Sequence, residues 1–184
     1  DKHINSSLQE ARMSKESIVV SVLKQPSILQ YSVESNLRPK LRFLLDELYI
    51  RESAIERVIQ SAPTLFGLSL EENLRPTIQL LRERCSLTDE QLSVIFETVP
   101  SIILLSLKRK IDPCLKFLFN ELKLTSSEEL GSIIHNNPRV LTHSIDRSLR
   151  PKIEMIREAL KDHEIPSATD NISIELACRR IFTN

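Results

Sequence analysis

The side chains best placed for chemistry in this chain are lysines and arginines, and they come in clusters. Arg38, Lys40 and Arg42 lie together, then Arg75, Arg82 and Arg84. Lys108, Arg109, Lys110 and Lys116 follow, and finally Arg147, Arg150, Lys152 and Arg157. Each cluster stands near the start of a segment with helical periodicity. Positive charge there opposes the helix dipole, whose N-terminal end is already partly positive. A bound phosphate would offset that cost, because helix N-termini attract anions and arginine offers paired donors. The residues singled out for such contacts are Arg38, Lys40, Arg75, Lys108, Arg109, Lys110, Arg147, Arg150 and Lys152. The competing reading is that these side chains solvate the surface or pair with neighbouring acids. On the residues alone it is the stronger reading. Asp112 stands where the other clusters carry arginine, which weakens the phosphate case in that segment.

Other chemistry has few carriers. There is no phosphate-binding glycine loop and no GxGxxG. His3, His135, His143 and His163 form no ligand pair with a carboxylate at metal spacing, and surface or capping roles are expected for them. No catalytic residue, metal or cofactor is expected. Cys85, Cys114 and Cys178 are odd in number and far apart, which fits reduced thiols. Cys85 and Cys178 read as small core residues. Cys114 shares its place with Lys40, Thr77 and Lys152, so it is expected to be exposed. Aromatic content is 4%, and Phe43 and Phe117 fall on apolar stripes, so a stacking platform for single strands is disfavoured.

The elements that would position the clusters are set by a repeat. Pro26, Pro63, Pro100 and Pro138 are spaced by 37, 37 and 38 residues, and Pro39, Pro76, Pro113 and Pro151 by the same intervals. Ser32, Ser69, Ser106 and Ser144 keep the same register. A fixed period of this size marks a stack of units that bury their apolar faces against neighbours. The expected domain is a single helical-repeat domain over 1–184. Its units are 1–25 (partial), 26–62, 63–99, 100–137 and 138–184 (atypical). The chain begins at Asp1 without methionine and is read as a fragment, so a targeting peptide is neither implied nor excluded. No apolar run approaches the ~18 residues of a membrane helix.

Within each unit the first helix carries an i, i+4, i+7, i+11 stripe. The stripes are Leu37, Leu41, Leu44, Leu48; Leu74, Ile78, Leu81, Cys85; Ile111, Leu115, Leu118, Leu122; and Leu149, Ile153, Ile156, Leu160. Phe43, Leu80, Phe117 and Met155 widen them. Long helices are predicted near 35–48, 71–84, 108–122 and 147–161, and shorter ones near 15–24, 53–62, 89–98, 126–137 and 171–182. Ser53-Ala-Ile-Glu56, Ser69-Leu-Glu-Glu72, Thr88-Asp-Glu-Gln91 and Ser126-Ser-Glu-Glu129 read as capping boxes, and Ser14 as an N-cap. The second proline of each unit either begins the main helix or kinks it, and both readings stay open. The pairs Ile28-Leu29, Leu65-Phe66, Ile102-Ile103 and Val140-Leu141 lie in pieces long enough only for a 3₁₀ turn. Ile18, Val19, Val22 and Leu23 read as the buried stripe of the first short helix.

The repeat, best seen in Pro63-Thr-Leu-Phe-Gly-Leu-Ser-Leu-Glu-Glu-Asn-Leu-Arg-Pro76 and Pro138-Arg-Val-Leu-Thr-His-Ser-Ile-Asp-Arg-Ser-Leu-Arg-Pro151, resembles that of the mitochondrial transcription termination factor family. The resemblance covers about residues 14–161. It implies an all-α superhelical solenoid of about four triple-helix units, each two α-helices and a 3₁₀ turn. It also implies a non-enzymatic, monomeric protein of the mitochondrion or plastid. Such a protein would bind double-stranded DNA or RNA in transcription, termination or RNA metabolism, with organellar transcription or ribosome-assembly proteins as further expected partners. With the resemblance, phosphate contact becomes the favoured role of the basic clusters. The alternative is a helical scaffold whose partner is another protein.

Overall fold

A computed structural model describes residues 14–161, and among these there are helices and turns but no strand. In chain order the α-helices are α1 (Lys15–Lys24), α2 (Arg38–Arg42), α3 (Glu52–Ser61), α4 (Arg75–Cys85), α5 (Asp89–Thr98), α6 (Asp112–Glu121), α7 (Ser127–Asn136) and α8 (Arg150–Lys161). The helix expected near 171–182, with Cys178, lies outside the described residues, as do His3, His163 and the side chain of Leu160.

The first proline of each repeat ends the helix before it. Gln25, Ala62, Val99 and Asn137 precede these prolines and have φ of −139°, −136°, −132° and −135°. A following pyrrolidine ring drives a residue out of the α region in this way. The proline then opens a single 3₁₀ turn, at Pro26–Gln30, Pro63–Gly67, Pro100–Leu104 and Pro138–Thr142.

The second proline settles the question left open by sequence. The long helix starts well before it, at the repeat serine. The Oγ atoms of Ser32, Ser69, Ser106 and Ser144 each accept the N–H three residues on, at 3.1–3.3 Å. Each serine carbonyl then accepts two N–H groups, for example Asn36 at 3.0 Å and Leu37 at 3.1 Å. The first turn is therefore π-helical, over Val33–Leu37, Leu70–Leu74, Leu107–Ile111 and Ile145–Leu149. Pro39, Pro76, Pro113 and Pro151 sit two residues beyond its end. A proline inside an α-helix lacks one donor and pushes its ring against the carbonyl four residues back. Widening the preceding turn to i→i−5 bonding accommodates both effects.

The described chain falls into two compact units, Asp1–Gln79 with Thr88–Leu104, and Leu80–Leu87 with Leu105–Asn184. In the first, Leu37, Leu44, Ile59, Leu65, Leu74 and Ile95 are fully buried. In the second, Leu81, Cys85, Ile111, Leu118, Ile134, Val140, Leu141 and Leu149 are. The predicted stripes of the long helices are buried at every described position, as are Ile55, Val58 and Ile59 of α3, Leu92, Ile95 and Phe96 of α5, and Leu130, Ile133 and Ile134 of α7.

Five expectations need correction. Met155 is exposed, and Leu80 and Phe117 are only half-buried, because the buried face is narrower than the widened stripe. Leu29 is exposed while Ile28 is buried, since one 3₁₀ turn buries one side. In α1 the buried side is Ser17, Ile18 and Ser21, and Val19 and Leu23 are exposed. The Ser53 capping box does not form; α3 begins at Glu52 after Arg51, which provides no side-chain cap. Cys114 is buried, not exposed, with its Sγ 3.8 Å from the Val140 carbonyl oxygen. Lys40, at the same repeat position, is likewise buried and donates to the Phe66 carbonyl at 2.5 Å. This position, just after the second proline, thus reaches the 3₁₀ turn of the next repeat. Burial pushes the Cys114 thiol up to about 11, against the charge of Lys110, and the Cys85 thiol up to about 12. Neither thiol is a nucleophile near neutral pH.

The first three long helices are each closed by a residue in the left-handed region: Tyr49 (φ 53°), Ser86 (φ 48°) and Lys123 (φ 51°) occupy one repeat position. At Lys123 the Leu124 N–H reaches back to the Phe119 carbonyl at 3.0 Å and the Lys123 N–H to Asn120 at 3.2 Å. That is a Schellman closure. Glycine is the usual residue at such a site, but the chain's two glycines, Gly67 and Gly131, are elsewhere. Gly131 is required for a different reason: a Cβ there would lie 1.9 Å from the Cys85 carbonyl oxygen. Lys123→Gly is expected to stabilise the protein by ~0.5–1 kcal/mol, the left-handed penalty less the extra chain entropy of glycine. Lys116→Gly, inside α6, should destabilise it by a similar amount. Denaturant midpoints check both signs.

Candidate nucleic-acid interface

The structure separates the nine candidate cations into three groups. Lys40 is used internally, bonded to the Phe66 carbonyl and to Asn36 Oδ1 at 3.0 Å. Lys110 donates to the His143 carbonyl, and Lys152 is half-buried in the same region of the second unit. Arg38, Arg75 and Arg150 form ion pairs. Lys108, Arg109 and Arg147 are exposed, at the first turns of the two long helices of the second unit.

The paired arginines follow the repeat. Arg38, Arg75 and Arg150 directly precede the second proline, and each meets an acid four residues back: Glu34, Glu71 and Asp146. Two of them also reach the end of the preceding long helix. Arg75 binds Glu47 through two hydrogen bonds of 3.0 and 2.6 Å, and Arg150 lies 3.4 Å from Glu121. The Arg75 guanidinium holds the Glu47 carboxyl below its ordinary value, chiefly through hydrogen bonding. Arg150 further lies over the ring of the half-buried Phe117, 5.0 Å from its centre.

Between these two pairs the signs are exchanged. Asp112 stands at the arginine position and Arg84 at the glutamate position, 3.9 Å apart. Lys116 supports Asp112 at 2.7 Å. Asp112 is therefore the counterpart of a paired arginine with its charge inverted. Sequence reasoning saw the odd aspartate but missed its partner; Glu47, Arg84 and Glu121, spaced by 37 residues, were the available signal. Asp112→Arg alone should lower stability by setting two arginines face to face, and adding Arg84→Glu should recover most of the loss. Denaturant unfolding of the two single variants and the double variant reads the coupling.

A carboxylate supplies the cap that Ser53 does not. Glu97 of α5 accepts the Arg51 N–H at 2.8 Å and the Arg51 Nε at 2.9 and 3.1 Å. It is only 3% exposed. Burial by itself would raise its carboxyl. The Arg51 hydrogen bonds and the charges of Arg51 and Arg57 outweigh this and hold it below the ordinary value. A depressed carboxyl stabilises the fold above its unfolded value, ~4.3, and loses that contribution as pH falls through the folded value. The stability gap between the wild type and Glu97→Gln should thus be full at pH 6–7 and shrink below about pH 4.

Charge is unevenly shared. The described residues of the first unit hold eight lysines and arginines against eleven acids; those of the second hold thirteen against eight. A chain that is neutral in total thus has one acidic and one basic part. The basic unit also holds a cavity of about 240 Å³ lined by Leu115, Phe119, Leu130, Arg84, Asp112 and Lys116, among others. Among the described residues no group of three His, Cys, Asp or Glu side chains could hold a metal ion, and no helix is long and apolar enough to cross a membrane.

Comparison with known proteins agrees with the repeat. No curated protein matches the chain. The mTERF family model, however, matches residues 2–76 and again residues 44–164. Two overlapping matches are what an internally repeated sequence produces. The matched stretch takes in the two-proline repeat and its serine-capped π turns. By that match the chain belongs to the mTERF family, the mitochondrial transcription termination factor family.

Proposed function

We propose that this protein binds double-stranded DNA or structured RNA in a mitochondrion or plastid, mainly through phosphate contacts, and acts there in transcription, its termination or RNA metabolism. Membership of a non-enzymatic, organellar, nucleic-acid-binding repeat family supports the general reading. The observation that carries it in this chain is the basic second unit, with Lys108, Arg109 and Arg147 exposed at the starts of its long helices. Nucleic-acid affinity of this kind is dominated by release of counterions and is largely indifferent to base sequence. The paired Arg75 and Arg150 contribute less than their place in the sequence implies, since their guanidinium groups already have acids. The repeat units read from the sequence are the proposed modules of a single monomeric domain.

The cavity in the second unit favours a second reading. Its apolar lining beside charged Arg84, Asp112 and Lys116 has the character of a seat for a side chain of a protein partner. The salt response of binding to a DNA duplex and to an RNA hairpin separates the two. Lys108→Ala, Arg109→Ala and Arg147→Ala should each lower the slope of log K against log salt by about 0.9 on DNA. Lys15→Ala, in α1 of the acidic unit, should leave the slope unchanged. Affinity that ignores salt, or three variants that behave like Lys15→Ala, would transfer the assignment to a protein scaffold.

A further inference from the structure

Where α6 and α8 meet, one acid holds two guanidinium groups. Glu121, in α6, lies 3.4 Å from Arg150 and 3.0 Å from Arg157, both in α8. One repeat earlier the charges are exchanged. Arg84 stands at the place of Glu121 and Asp112 at the place of Arg150, 3.9 Å apart. The exchange stops halfway, because the place of Arg157 is held by Phe119, where α4 carries Arg82. A phenyl ring brings no charge to Arg84, although the exchanged sign calls for a carboxylate there. The cavity of about 240 Å³ lies at this point. Leu115, Phe119 and Leu130 give it an apolar wall, and Arg84, Asp112 and Lys116 also line it. Lys116 is 2.7 Å from Asp112, so one carboxylate is shared between two cations. Both cations are more than half exposed. The volume falls below the ~300–1,000 Å³ of pockets that enclose a whole small molecule, and it suits a single side chain.

We propose that this cavity receives a large apolar side chain of a protein partner together with a carboxylate beside it, and that the carboxylate takes next to Arg84 the part that Arg157 takes next to Glu121. The proposal rests on the protein-partner reading of the cavity and gives that reading a chemistry: an acidic residue adjacent to a large apolar one. Two cations against one carboxylate leave the lining with one positive charge, which the partner's carboxylate neutralises. The apolar wall takes the inserted side chain out of water and supplies most of the affinity. The exposed cations at the rim mainly decide which partner is accepted. Lys108, Arg109 and Arg147, assigned above to nucleic acid, are not among the residues that line the cavity.

The whole chain is titrated with three capped peptides that differ at one position, carrying glutamate, glutamine or lysine beside a phenylalanine. Methyl resonances of Leu115 and Leu130 report entry into the cavity. The glutamate peptide should shift both and bind about two- to fivefold more tightly than the glutamine peptide, with the lysine peptide weakest. Arg84→Gln should erase that preference and keep the apolar part of the binding. Phe119→Glu supplies the carboxylate from within the chain and should weaken all three peptides; if it does not fold, Arg84→Gln, at an exposed side chain, decides alone. Three peptides that shift the methyls equally overturn the acidic chemistry and leave the protein-partner reading of the cavity standing. Peptides that leave the methyls unmoved overturn both. If Arg84→Gln lowers the salt slope of duplex binding as Lys108→Ala does, the rim serves nucleic acid and the proposal falls. The nucleic-acid reading itself is decided by the duplex slopes, whatever the peptides do.

Discussion

A proline has no N–H to give to a helix, and each repeat places two of them at fixed distances from a capping serine. The first turns the chain out of the α region and sets the short 3₁₀ element, which at Phe66 and Val140 meets the long helix of the preceding repeat. The second lies inside a continuous helix and is accommodated by a π turn at its start. The phase of the long helix is then set from the serine, so the buried stripe and the charged residue before the proline recur in step. Lys40 and Cys114 follow from the same geometry. Both stand one residue past the proline and point a donor at the 3₁₀ turn of the next repeat.

Much of this was legible in the sequence because it rests on period and side-chain type. The apolar stripes, the serine caps and the first-proline stops all use residues whose preferences are strong. The less legible features are those where the usual residue is absent. Nothing in Tyr49, Ser86 or Lys123 signals a left-handed closure, because none is glycine or asparagine. The α3 cap was misplaced because its acceptor, Glu97, is 46 residues away. Local patterns cannot express an interaction between neighbouring repeats. For the same reason Lys40 read as a surface cation and Cys114 as an exposed thiol.

The candidate interface was legible in outline, as a set of basic clusters, but not in detail. Composition showed a neutral chain, and only the division of the structure shows that the excess of acids and the excess of bases belong to different units. The arginine before the second proline is the most regular cation in the sequence. Its regularity reflects an ion pair with the preceding repeat at Glu47 and Glu121. The irregular cations, Lys108, Arg109 and Arg147, are the ones left to solvent. In a repeat protein, periodicity reports first on the contacts between repeats, and departures from it mark what a single repeat does alone.

The exchanged charges at Arg84 and Asp112 bear on how the array finds its own order while folding. Near-identical modules can dock on the wrong neighbour, a characteristic failure of repeat chains. Along the chain the helix-end charges run Glu47, Arg84, Glu121, and the charges that receive them run Arg75, Asp112, Arg150. If one repeat were skipped, Glu47 would face Asp112 and Arg84 would face Arg150. Every such misplacement sets like charges together, while the true neighbours always meet as opposites. The alternation acts as a parity check on adjacency: it is weak in any one contact, but a partner one repeat too far fails it.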